Sequence, residues 1–240
     1  MNLYFLLEGK GTEPKVYPKW IEYTFPTLRR TQRIEDMIQD SFFLLSAKGY
    51  PRILKLIEQI LSDISQYYLA NNICIEHFFI CLDADEDGYE ARFREVQKKL
   101  SETVESLNNK SRLIPSILNI HIIIQNCCIE TWFLGNTRML RRNPQNVKLV
   151  KFKKFYDVSI NDPELMNCYK NEESSYITTS QFHKAYLKEM LREKTKTYSE
   201  THPGITSDRE YFSALKERIK TTGHLQSLKI LLDIWNEIKS

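Results

Sequence analysis

Three short apolar runs in this 240-residue chain end in a carboxylate or lead closely to one. Leu3–Leu7 stops at Glu8, and Glu13 follows at the start of the next helical stretch. His77–Leu82 stops at Asp83, which opens the cluster Asp83-Ala84-Asp85-Glu86-Asp87-Gly88. Leu118–Ile124 is followed by Glu130. Carboxylates gathered on one sheet edge repel one another unless a cation lies among them, and hard oxygen ligands suit Mg²⁺ or Mn²⁺. A pair of such ions activates water and stabilises the leaving oxygen of a phosphodiester. Each acid alone has a plainer explanation. A Glu after a strand is an ordinary solvated cap, and Asp85, Glu86 and Asp87 before a helix favour its dipole. The metal reading rests on the coincidence of three strand exits.

Those acids need strands to carry them. Leu3–Leu7, Ser41–Leu45, His77–Leu82 and Leu118–Ile124 read as four strands, with uninterrupted runs such as FFIC and HIII that suit burial on both faces. Between them, Lys15–Tyr23, Ile53–Leu69, Tyr89–Leu107 and Ile129–Leu140 read as helices. Strands alternating with helices imply βαβ units and an α/β fold with a largely parallel, four-stranded sheet flanked by helices. Ligands in such sheets sit beyond the carboxyl ends of the strands, which is where the acids fall. From about Ser180 the pattern is helical to the end, over Gln181–Tyr198 and Asp208–Ile238. The expected organisation is an α/β domain over 1–150 and a mainly α-helical C-terminal region over 151–240, packed on or beside it. The apolar face of the last helix, from Leu225 to Ile238, is read as packing on the sheet.

Composition excludes more than it proves. The formal charge is +3, with 42% hydrophobic and 27% charged residues, as in an ordinary globular protein. No apolar run reaches the ~18 residues that span a bilayer. The first residues, MNLYFLLEGKG, lack a basic segment and a cleavage site, so no signal peptide is expected. The odd count of five cysteines fits a reducing compartment, and the expected location is the cytoplasm. With no CxxC pair and scattered histidines, no zinc site is expected, and the adjacent Cys127 and Cys128 read as small core hydrophobes. DADEDG mimics the start of an EF-hand loop, but its twelfth position is Arg94 rather than a bidentate Glu. Gly9-Lys10-Gly11-Thr12 lacks the spacing of a P-loop. The chain has only seven glycines, and two of them, Gly9 and Gly88, follow the acids directly.

Arg138, Arg141, Arg142, Lys148, Lys151, Lys153 and Lys154 form a run of seven basic residues without an acid. Phe152, Phe155 and Tyr156 interleave with it, and aromatic–basic surfaces suit phosphates and unstacked bases. The run is the candidate nucleic-acid contact; a solvated loop or a dock for an acidic partner is the plainer alternative.

Three segments, in order, carry a resemblance. EGKGTEP at 8–14, DADEDG at 83–88 and NCCIETWFLGN at 126–136 resemble the motifs of TOPRIM domains of the OLD nuclease and RloB-like kind. The resemblance spans over half the chain. It implies a TOPRIM-like (Rossmann-like) fold and a metal-dependent endonuclease that cuts DNA or RNA, including tRNA, as the toxic effector of a bacterial anti-phage system. It implies Mg²⁺ (or Mn²⁺), held by Glu8, Glu13, Asp83, Asp85 and Glu130, with Glu8, Asp83 and Asp85 as catalytic residues. The family's sites add a C-terminal basic residue, which no motif here identifies. Such proteins work with an ABC-type ATPase. This chain has no Walker motif, so the ATPase would be a separate partner; a homo-oligomer is the other expected assembly. The alternative is a catalytically silent TOPRIM-like module that docks on such an ATPase. A DxD phosphotransferase fits less well, because Glu86 and Asp87 stand where such sites carry Thr or Val.

Overall fold

A computed structural model describes residues 1–71, 74–112, 114–170 and 176–239. Five parallel strands, β1 (Asn2–Leu7), β2 (Arg29–Arg30), β3 (Ser41–Ser46), β4 (His77–Asp83) and β5 (Asn119–Gln125), form one sheet in the order β2-β3-β1-β4-β5. The expected sheet is therefore extended by one strand. Its two-residue edge, Arg29–Arg30, is exposed and basic and has no apolar run to announce it. It forms because the chain leaving the first helix runs alongside β3, with Arg29 N–H donating to the Asp40 carbonyl at 2.8 Å.

The helices are α1 (Glu13–Thr24), α2 (Arg52–Asn71), α3 (Tyr89–Asn109), α4 (Ile129–Leu134), α5 (Val147–Phe155), α6 (Thr179–Arg192), α7 (Arg209–Thr222) and α8 (Gln226–Lys239). The period-two alternation of β1 divides the core. Leu3, Phe5 and Leu7 face one layer with α1, α4 and the C-terminal helices, while Tyr4 and Leu6 face α2 and α3. β4 does the same, with Phe79 and Cys81 on one face and Phe78, Ile80 and Leu82 on the other. The C-terminal helices thus complete one face of the sheet: Leu228, Leu231 and Trp235 of α8 share a core with Phe5 and Phe79. Position 150 lies within α5. Among the described residues, no helix is long and apolar enough to cross a membrane.

The chain leaves β1 toward β3 on one side and returns to β4 on the other. That reversal opens the crevice at the carboxyl ends of β1 and β4 where doubly wound sheets take their ligands.

Several helices end earlier than periodicity predicts, for local reasons. The stretch expected as helix over Ile129–Leu140 stops at Leu134 and continues as a 3₁₀ turn at Thr137–Met139. A Cβ at Gly135 would lie 2.4 Å from Leu225 Cδ1, so this is where the entry to α8 presses on the backbone. The long stretch expected over Asp208–Ile238 divides at Gly223, whose φ of 71° is left-handed and ends α7. α6 closes at Arg192, before the turn around Thr195. α5 forms inside the basic run, capped by Asn146 Oδ1, which accepts from the Lys148 and Leu149 N–H groups at 2.9 and 3.2 Å.

Phe5 is fully buried and stacks on Phe79 with ring centroids 4.4 Å apart. Truncating it removes the middle of the β1–β4 contact. Phe5→Ala is expected to cost about 3–5 kcal/mol, read as a lower urea midpoint at unchanged slope. An unchanged midpoint would contradict the assigned core.

Candidate metal centre

Glu8 follows β1 directly. Its N–H donates to the Cys81 carbonyl of β4 at 2.9 Å, and its Oε2 accepts from the Asp83 N–H at 3.2 Å. The two strand ends beside the crevice are thereby tied through the first two acids. Glu13 opens α1, and its Oε1 accepts from the Gly9 N–H at 3.2 Å. A Cβ at position 9 would lie 2.1 Å from Glu13 Oε2, so the glycine is what lets this carboxylate fold back over the loop. Asp85 adopts a left-handed φ of 48°, held by its N–H donating to the Cys127 carbonyl at 3.0 Å. Gly88, at φ 82°, turns the loop into α3.

Glu130, in the first turn of α4, is 4% exposed and accepts from the Tyr198 hydroxyl at 2.7 Å. Asp83 lies in the middle. Its Oδ1 is sealed from solvent and no hydrogen bond reaches it. All five expected acids are brought together here.

Their charges show it. Burial, then Glu13, Glu8, Asp85 and Glu130, push the Asp83 carboxyl far above the usual carboxylate range. Burial also raises Glu13, to about 7, with Glu130 and Glu8 adding to the effect against hydrogen bonds from its own backbone and Gly9. Glu8 is raised by burial and by Asp85, although the Asp83 N–H and the Arg92 charge pull it down. Asp85 is raised by burial, with Glu86 and Asp87 adding, against Arg92 and a hydrogen bond from the Ser180 side chain.

These groups fit a divalent cation. A buried carboxylate oxygen with no partner, flanked by four more acids, has the donor chemistry of Mg²⁺ or Mn²⁺. Among the described residues, the three donors that lie within 4.8 Å of one another belong to a different cluster, Cys127, Cys128 and His183.

The other loop acids have structural duties. Asp87 pairs with Arg92 Nη2 at 2.5 Å, and that guanidinium, 3% exposed, lies 4.0 Å over the Tyr50 ring. Glu86 accepts from the N–H and the hydroxyl of Thr179, the latter at 3.1 Å, tying the loop to the start of α6.

The basic residues beside the acids are not those the sequence singles out. Lys184 of α6 pairs with Glu130 Oε1 at 3.9 Å and with Glu200. Burial alone would lower its ammonium, but Glu130 and Glu200 hold it above its usual range. Lys188 and Lys10 also act on Glu200. Thr12 joins the network, 3.0 Å from the Tyr198 hydroxyl. No sequence signal reveals Lys184 or Tyr198, because each takes part through a contact between distant segments; Thr12 belongs to the EGKGTEP segment, but its contact with Tyr198 is not legible there.

The seven residues of the basic run lie around α5 and the segment before it. Arg138, Arg141, Arg142, Lys148, Lys151 and Lys154 are exposed, and Lys153 is half-buried, donating to the Arg142 carbonyl at 2.7 Å. Lys148 lies 3.9 Å from Glu189. The expected aromatic platform is mostly interior. Phe152 is 2% exposed and packs in the core, and the Tyr156 hydroxyl donates to the Asp162 carbonyl at 2.6 Å. Only Phe155 is exposed, at 42%.

The chain matches no family profile, no curated protein and no solved structure.

Glu13 gives the cleft a pH signature without divalent ions. Its folded pKa of about 7 lies above its unfolded value, so the unfolded chain ionises first as pH rises. Stability is full at low pH and is lost between the ordinary Glu range and pH 7, by at most about 1.4 kcal/mol per pH unit from one such group. Melting temperatures of protein in EDTA should fall less steeply across that window in Glu13→Gln than in the wild type. Parallel profiles would refute the assignment.

Proposed function

We propose that the chain is a Mg²⁺- or Mn²⁺-dependent endonuclease that cleaves phosphodiester bonds of DNA or RNA. One observation carries this reading: Asp83 Oδ1 is buried without a partner among four further carboxyl groups at the switch point of a parallel sheet. The resemblance of the three acidic segments to TOPRIM nucleases supports the same reading, and with it a role as the toxic effector of an anti-phage system partnered by a separate ATPase.

Glu8, Glu13, Asp83, Asp85 and Glu130 would hold the metal. When bound, it supplies Lewis acidity and a water of lowered pKa for attack on phosphorus. The chain's own contribution is positioning. Asp83 N–H fixes the Glu8 carboxylate, and Tyr198 fixes Glu130. Lys184 offers its charge to a phosphate next to Glu130, while Lys10 and Lys188 add positive potential around Glu200. The exposed cations of the basic run extend the surface for a longer strand, and they add salt-dependent affinity rather than chemistry.

Cleavage of single- and double-stranded DNA, RNA and tRNA in Mg²⁺ buffer tests this. Glu8→Gln and Asp83→Asn should each abolish metal-dependent cleavage with the circular dichroism unchanged. Cleavage surviving in both variants would end the proposal. A wild-type protein inert on every substrate would leave the silent docking module in its place. Lys184→Met should lower kcat about 10- to 100-fold, the usual cost of disturbing a group that orients a metal ligand.

A further inference from the structure

Next to the carboxylates, joined to them by the bond from the Asp85 N–H to the Cys127 carbonyl, lies a second cluster of a different chemical character. Cys127, Cys128 and His183 are all buried and bring three donor atoms within 4.8 Å of one another. The cysteines precede α4; the histidine comes from α6. Thr131 lies between them. Its Oγ1 accepts from the Cys127 and Cys128 N–H groups at 3.2 and 3.3 Å, which occupies both lone pairs. Its hydrogen is therefore free to donate, and His183 Nδ1 is 2.7 Å away. At the other end of the ring, Nε2 is 2.9 Å from the Met166 carbonyl, which only accepts, so the ring proton sits on Nε2.

Two independent contacts fix the tautomer. Nε2 is spent on a backbone carbonyl, and Nδ1 is the unprotonated nitrogen, facing Thr131 Oγ1 with both thiol sulfurs within 4.8 Å. That is the arrangement of a metal-binding histidine, whose second nitrogen donates to a carbonyl and so fixes the ring. Two sulfurs and an imidazole nitrogen select soft or borderline cations such as Zn²⁺ over the Mg²⁺ that suits the carboxylates.

The geometry points to a soft-metal site formed by Cys127 Sγ, Cys128 Sγ and His183 Nδ1, separate from the carboxylate centre and taking Zn²⁺ or a chemically similar ion. Binding forms two thiolate–metal bonds and one imidazole–metal bond and releases the two thiol protons to solvent. The ion displaces the Thr131 hydroxyl from Nδ1, and Cys128 Sγ, 3.5 Å from Thr131 Oγ1, is the alternative acceptor for that hydroxyl.

Each ligand is next to a residue of the carboxylate centre. The Cys127 carbonyl holds the Asp85 N–H, Cys128 caps the helix whose first turn carries Glu130, and Lys184 is the residue after His183. An ion here pins α4 to α6 and so fixes Asp85, Glu130 and Lys184 relative to one another.

Cobalt reports the site without reference to activity. Full-length protein, reduced and freed of metal by chelation, is titrated with Co²⁺ and followed by absorption. The expected result is a thiolate-to-cobalt charge-transfer band that saturates at one equivalent and is displaced by Zn²⁺. The band should be lost in Cys128→Ser and in His183→Gln, and kept in Glu8→Gln and Asp83→Asn. Zn²⁺ should also raise the melting temperature of the wild type but not of Cys128→Ser. No thiolate band in folded wild-type protein would overturn the assignment whatever the variants do. So would a band that survives in Cys128→Ser, or one lost in the carboxylate variants. The carboxylate reading stands or falls separately, on cleavage in Mg²⁺.

Discussion

Carboxyl groups held close together in a half-dry cleft repel one another, and much of this structure is arranged to hold them there. Neighbouring carboxyl groups raise the proton affinity of Asp83, Glu13 and Glu8 on top of what burial does. The cleft relieves that repulsion by keeping protons. The backbone around the acids is shaped to resist the alternative of simply opening. Gly9 admits the folded-back Glu13, Asp85 is held left-handed by the Cys127 carbonyl, and the Asp83 N–H grips Glu8 across the strand ends.

The stiffness behind this comes from the sheet. β1 and β4 are buried on both faces, so neither strand can shift by a residue without turning its side chains into the wrong layer. Their exits, and the acids on them, inherit that register. Glu130 has no such strand to fix it. It depends on α4, one short helix, and on the elements packed against that helix.

α6 supplies the packing. In little more than one turn it presents Thr179 to Glu86, Ser180 to Asp85, His183 to Thr131 and Lys184 to Glu130. A helix from the C-terminal third thereby orders the loop after β4 and the helix after β5 together. The hard carboxylate cluster and the soft thiol–imidazole cluster share this one support, so a change that moves α6 would be felt by both.

Four of the strands, their parallel sense and the acids after them were legible in the chain because each follows from local pattern. Apolar runs such as HFFICL declare burial on both faces, and a carboxylate directly after such a run is carried to the sheet edge wherever the strand goes. Composition and periodicity could not reveal β2, whose two exposed arginines pair with β3 only because the preceding helix delivers them there. Nor could they show that Leu225, far along the chain, packs on Gly135 where the helix ends after Leu134. The same limit applies to the chemistry. The basic run was conspicuous in sequence, yet Lys184 is the cation brought to Glu130, and His183 looked isolated until α6 laid it against Cys127 and Cys128. Sequence determines which side chains a strand or helix must bury and which residues stand at its exit. Which distant side chains meet is decided only when helices pack, because that depends on shape and contact between layers rather than on any pattern along the chain.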